Sequence, residues 1–158
     1  MRQSIFVIAF AVTIILAAAG AATAQSGHFV GDVTCEDAGT TLQCDGRVAG
    51  LGGTTFEIRV SAPNATADVV CTNPAGNISP GQSFSFNAAG TSGVLATPRN
   101  GSFRFNNVGT TTPSPGAGAC PNPKWTATVT DVHFSGQIAT VNLLENNVVV
   151  DSVQVPVP

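Results

Sequence analysis

The chain has 158 residues, with six Lys or Arg against nine Asp or Glu, a formal net charge of −3 and a charged fraction of only 9%. So few cations exclude a nucleic-acid partner, because phosphate recognition needs clustered Lys and Arg. They equally exclude electrostatic docking on anionic lipid.

Residues 1–24 carry the first signal. Met1-Arg2 form a basic tip, residues 5–16 an apolar run of about a dozen, and Ala22-Thr23-Ala24 an Ala-x-Ala cleavage site, the pattern of a secretory signal peptide. The run is too short for a ~30 Å hydrocarbon core, and no second long apolar stretch follows, so no membrane span is expected. The expectation is a mature protein of residues 25–158, a single secreted domain in an extracellular or periplasmic compartment, with five basic residues against nine acidic ones and a net charge near −4.

Beyond residue 24 the chain reads as strands and turns. Phe56-Glu57-Ile58-Arg59-Val60, Ser83-Phe84-Ser85-Phe86 and Ser102-Phe103-Arg104-Phe105 alternate apolar and polar residues with period two. Asn73-Pro74-Ala75-Gly76-Asn77, Ser79-Pro80-Gly81 and Pro98-Arg99-Asn100-Gly101 supply turn residues between them. No stretch shows helical spacing. From residue 124 the apolar positions are odd (Trp125, Ala127, Val129) and become even at Val132 and Phe134. A period-two pattern changes phase only where a residue is inserted, which predicts a β-bulge or a sheet crossing near Thr130-Asp131. Glu145-Asn146-Asn147 predicts a closing hairpin. Predicted strands run 29–35, 41–49, 54–61, 67–72, 82–87, 102–106, 124–134, 138–144 and 148–155, which suits an all-β sandwich of two antiparallel sheets. Residues 109–123, with four Pro, break the pattern and predict a long surface loop.

Cys35, Cys44, Cys71 and Cys120 allow three pairings, and spacing alone does not choose among them. The turn-rich segment between Cys35 and Cys44 favours that local pair, which leaves Cys71 with Cys120. On the chain-entropy model, loops of about 10 and 50 residues contribute roughly 2.5 to 4 kcal/mol each. Metal ligation needs tighter Cys spacing than gaps of 9, 27 and 49 provide, so no cofactor or metal is expected.

The architecture resembles an immunoglobulin-like sandwich, with Cys71 to Cys120 as the inter-sheet bridge. It departs from true immunoglobulin domains in having no Tyr and in placing Trp125 after the second Cys of that pair. Cys71-Thr72-Asn73-Pro74 and the Cys-Pro-Asn-Pro-x-Trp-Thr-Ala segment from Cys120 to Ala127, followed by Thr130-Asp131-Val132, give a second likeness. In them the chain resembles small, uncharacterised secreted microbial proteins, a resemblance that implies a fold and a compartment but no activity.

Candidate chemistry is sparse. Asp131 and His133 share a strand face and make two metal ligands without a visible third; His28 lies near the mature N-terminus. Asp32, Glu36, Asp37 and Asp45 gather near the first cysteine loop, without a calcium motif. Asn64-Ala65-Thr66 and Asn100-Gly101-Ser102 are glycosylation sequons, and Asn77-Ile78-Ser79 is one weakened by Pro80. Serine lacks a nucleophile elbow. The expectation is therefore a protein that is not an enzyme and that binds an extracellular partner, a glycan or a cell-surface component. Two alternatives are a carrier of a small apolar ligand, similar in outline to the sandwich apoproteins that sequester enediyne antibiotics, with nine Phe available to line a cleft, and a secreted hydrolase. Trp125 is expected as the central core residue, the alternative being an exposed platform for stacking sugars.

Overall fold

A computed structural model describes residues 26–134 and 136–158; the signal-peptide expectation falls on residues outside these. Eleven strands form: β1 (His28–Phe29), β2 (Thr34–Asp37), β3 (Leu42–Ala49), β4 (Thr55–Thr72), β5 (Ile78–Pro80), β6 (Phe84–Thr91), β7 (Leu95–Ala96), β8 (Phe103–Gly109), β9 (Thr126–His133), β10 (Ile138–Glu145) and β11 (Val148–Pro156). All pairings are antiparallel, and the strands make two sheets, as the alternation predicts. In the smaller, β3 pairs with β1 and β2 and with β8; in the larger, β4 pairs with β5, β6, β7, β9 and β10, and β11 extends β10. Among the described residues no helix is long and apolar enough to cross a membrane.

Two predicted strands, 54–61 and 67–72, are one. β4 runs 18 residues through Pro63-Asn64, which alternation alone does not separate from a turn. Its buried apolar residues are Phe56, Ile58, Val60 and Ala62 before that point and Ala65, Ala67, Val69 and Cys71 after it. The change from even to odd is one inserted residue, and the ladder with β6 shifts there, two residues opposing Asn87. Asn64 takes φ 57°, and its amide donates to Asn87 Oδ1 at 3.3 Å. The bulge also accommodates Pro63, whose missing N–H would break a regular ladder. At the predicted bulge, Asp68 faces Asp131 and Val69 faces Val129, which leaves Thr130 as the extra residue. The closing hairpin is also as expected: Glu145 pairs with Val148, and Asn146 and Asn147 both have positive φ, as a two-residue type I′ turn requires.

The core lies between the sheets. Phe56, Phe105, Phe134, Leu42, Ile58 and Leu143 are its largest fully buried side chains. Of the Phe residues described, Phe29, Phe84, Phe86 and Phe103 pack against that cluster. Most of these rings thus belong to the core or its margin. Trp125 is not a core residue. It is half-buried in the turn before β9, its amide bonded to Asn122 O at 3.0 Å.

Disulfides join Cys35 to Cys44 and Cys71 to Cys120. The first bridges directly paired residues of β2 and β3, with Cα atoms 4.1 Å apart. The second ties β4 to the loop preceding β9, so it is not the inter-sheet bridge of the immunoglobulin comparison. That loop is as predicted, without strand structure from residue 110 to 125. Its start is held by Thr110, which donates its amide to Leu42 O at 2.9 Å and accepts the Leu42 amide at Oγ1 at 3.0 Å.

The sheets are in tight backbone contact where β6 passes the end of β8. A Cβ on Gly90 would lie 1.8 Å from Gly109 O and 2.6 Å from Thr110 Cα, both backbone atoms with no rotamer to yield. Gly90→Ala is expected to destabilise by about 3 kcal/mol or more, the upper range for overpacking. A denaturant midpoint equal to that of the parent protein would show that the contact is not tight.

Candidate functional site

A concavity runs along the β8 edge of the smaller sheet, where β6 and β7 of the larger sheet approach it. An open trough of about 660 Å³ is lined by Thr41, Gln43, Asn106, Asn107 and Thr110, with Leu95 and Phe103 as apolar surface. Its shape comes from a third bulge: Cys44 faces Val108 and Gly46 faces Phe105, so Asn106 and Asn107 together oppose Asp45. Two consecutive side chains of one strand are thereby both exposed, where regular pleating would bury one of them. Asn107 adopts φ 55°, and its amide is held by Asp45 Oδ1 at 2.6 Å. A second hollow of about 550 Å³ continues from it, lined by Val30, Gly31, Asp32, Gly46, Arg47, Ser102 and Arg104. Arg104 lines both.

A polar cluster lies elsewhere, on β4 and β9. His133 Nε2 stands 2.9 Å from Asp68 Oδ2, and His133 Nδ1 stands 3.7 Å from Asp131 Oδ2. Ser83 donates to Asp68 Oδ1 at 2.8 Å. Asp68 and Asp131 are directly opposed across the ladder, and the imidazole placed between them relieves a like-charge contact. The His133–Asp68 hydrogen bond raises the pKa of His133, the Asp68 charge adding to it, and lowers that of Asp68, where the Ser83 bond also contributes. The serine hydroxyl is bonded to the carboxylate and not to the imidazole, so this is not a nucleophile–base pair. The Asp131–His133 pair foreseen in sequence is real, but its principal partner, Asp68, is 65 residues away from His133 and carried no local signal. No three His, Cys, Asp or Glu side chains converge as a metal site among the described residues.

The remaining candidates are dispersed. Asp37 accepts the amides of Gly39 and Phe134, and Asp45 that of Asn107, so both carboxylates serve the backbone; Asp32 and Glu36 are exposed. His28 Nδ1 is 3.4 Å from Ser26 O, on a strand of the smaller sheet, whereas His133 lies on β9 of the larger. Asn64, Asn77 and Asn100 are all exposed. Glu57, the buried carboxylate of β4, accepts Arg59 Nε and Nη2 at 2.9 Å each and the Thr91 hydroxyl. The arginine, then the hydroxyl, lower its pKa.

No family model, curated protein or solved structure matches the chain.

The His133–Asp68 pair has a defined pH signature. A raised His pKa gives stability that is full below the unfolded value of about 6.5 and lost as pH rises through the folded value. The lowered Asp68 gives stability present above about 3.9 and lost as pH falls through its folded value. By NMR, His133 is expected to titrate above about 6.5 and to return toward that value in Asp68→Asn. An unmoved titration in the variant would show that the contact does not form in solution.

Proposed function

We propose that this is an exported, non-catalytic binding protein that holds a glycan of the cell surface or envelope in the trough at the β8 edge of its smaller sheet. The observation that carries the reading is the trough built on the Asn106-Asn107 bulge. Neutral amides and hydroxyls are donors and acceptors at once and match the hydroxyls of a sugar, while Phe103 and Leu95 offer apolar surface for its C–H face. Bulges commonly re-aim side chains beside functional sites. Two disulfides fit an oxidising compartment, in keeping with the basic tip, apolar run and Ala22-Thr23-Ala24 of the leader. The likeness of the Cys71 and Cys120 segments to small secreted microbial proteins belongs to the same reading.

Trp125 favours a second position for the ligand. Half-exposed outside the core, it is available as a stacking platform at the end of β9, where Thr126 pairs with Thr72, far along β4 from the trough. A glycan array with purified cell-wall fractions tests the function, and two variants separate the positions. Asn106→Ala with Asn107→Gly keeps the left-handed backbone and removes both amides. It is expected to weaken glycan binding about tenfold, the worth of one or two hydrogen bonds, at unchanged unfolding midpoint. Full binding by that variant and loss in Trp125→Ala would move the site to Trp125. Failure to retain any glycan or wall fraction would defeat the reading.

A further inference from the structure

Arg47 and Arg104 are direct partners across the β3–β8 ladder, both exposed on the outer face. Like charges in that relation repel, and their Cβ atoms lie only about 5 Å apart. The chain beyond its leader has five Lys and Arg in all, so this pairing concentrates two of them on a protein of net negative charge. Neither takes part in an ion pair among the described residues.

Their surroundings form a hollow. Arg47 donates Nε to Ser102 Oγ at 3.1 Å, and Ser102 in turn donates to Val48 O at 3.2 Å, which holds the guanidinium stem to the strand and leaves the Nη groups uncommitted. Both arginines line the same hollow of about 550 Å³. Asp32 also lines it without pairing to either, so two guanidinium groups face one carboxylate and the hollow keeps a net positive charge. Arg104 continues into the amide-lined trough. Guanidinium forks bind carboxylate and sulfate oxygens two at a time, with geometry that a point charge lacks.

We propose that Arg47 and Arg104 together receive the acid group of an anionic polysaccharide whose neutral sugar hydroxyls lie in the adjoining trough. This rests on the glycan-binding reading and names its ligand class: a polymer bearing carboxylate or sulfate groups. The occupied pair exchanges mutual repulsion for shared bonding to one anion, so ligand affinity and the relief of strain act together.

The test uses the full secreted protein against three immobilised polymers: polygalacturonate for the carboxylate, dextran sulfate for the sulfate, and unmodified dextran as the neutral reference. Binding to one or both acidic polymers and not to dextran is expected, weakening with added salt as the Debye length shortens below ~10 Å. Arg47→Gln with Arg104→Gln is expected to reduce that binding at least about tenfold, since charge-assisted bonds are worth roughly 1.5–3 kcal/mol each. Arg99→Gln, which removes a charge outside the hollow, is expected to leave it unchanged. Because both arginines are exposed, the double variant should unfold no earlier than the parent, and a midpoint measurement shows that it is folded. Preference between the acidic polymers identifies the acid group. Full binding by the double variant, or an equal loss in Arg99→Gln, overturns the arginine assignment. Equal binding to dextran overturns the charge requirement and leaves the glycan reading standing. Retention on none of the three, with neutral glycans binding on the array, overturns this inference alone; no binding anywhere overturns both.

Discussion

A strand buried on one face must keep its period, and β4 and β8 escape that constraint by the same local device. In each, two residues oppose one on the neighbouring strand, and the second of the two is an Asn in the left-handed region: Asn64 opposite Asn87, and Asn107 opposite Asp45. The bulged amide has no ladder partner and is taken by the side chain of the opposing residue, Asn87 Oδ1 in one case and Asp45 Oδ1 in the other. An unsatisfied amide is thereby converted into a fixed bend. In β4 the bend lets one strand of 18 residues keep its apolar residues inward along its whole length and serve as partner to five others. In β8 it turns two amides to solvent and makes the trough.

The same economy of charge runs through the molecule. Glu145 Oε1 accepts the amides of Gly27 and Gly52, Asp151 Oδ2 that of Phe29, and Asp37 Oδ2 that of Phe134. The Asp151 contact joins β11 of the larger sheet to β1 of the smaller, so a carboxylate and not a disulfide spans the sheets there. Hydrogen bonds from amides to ionised carboxylates are stronger than neutral ones, which suits a fold whose edges meet through loops. One consequence is electrostatic: carboxylates that serve the backbone do not neutralise cations, and among the described residues Arg47 and Arg104 have no ion-pair partner.

Much of the architecture was legible because period two is a local signal. The two-sheet class, the Asn146-Asn147 hairpin, the loop before Cys120 and the bulge at Thr130 all follow from alternation and turn chemistry. The same parity rule applies to Ala62 and Ala65, but Pro63-Asn64 also spells a turn, and local sequence does not tell a bulge from a chain reversal. The parity of Trp125 with Ala127 and Val129 predicts a core position, yet Asn122 and Pro123 turn the chain just before β9 and place it outside the regular ladder. The site residues were least legible. Arg47 with Arg104 and Asp68 with His133 are neighbours only through ladder register, and register between distant strands depends on the bulges that set it.

Those bulges also determine how the trough would meet a ligand. One wall is β8, whose bend is clamped by Asp45. The neighbouring β3 is cross-linked to β2 through Cys44, and the trough's end at Thr110 is bonded twice to Leu42. Gly90 against Gly109 fixes the larger sheet beside it. A surface built on strands and braced on these sides is already ordered before a ligand arrives. Binding there avoids the entropy of ordering a loop, roughly 0.5–1.5 kcal/mol for each side chain that must be immobilised. Short neutral side chains such as Asn and Thr keep that loss small, whereas two arginines carry larger rotamer entropy. Ser102 offsets part of it by holding Arg47 at Nε in advance, so Arg104 is the side chain that a bound anion would have to order.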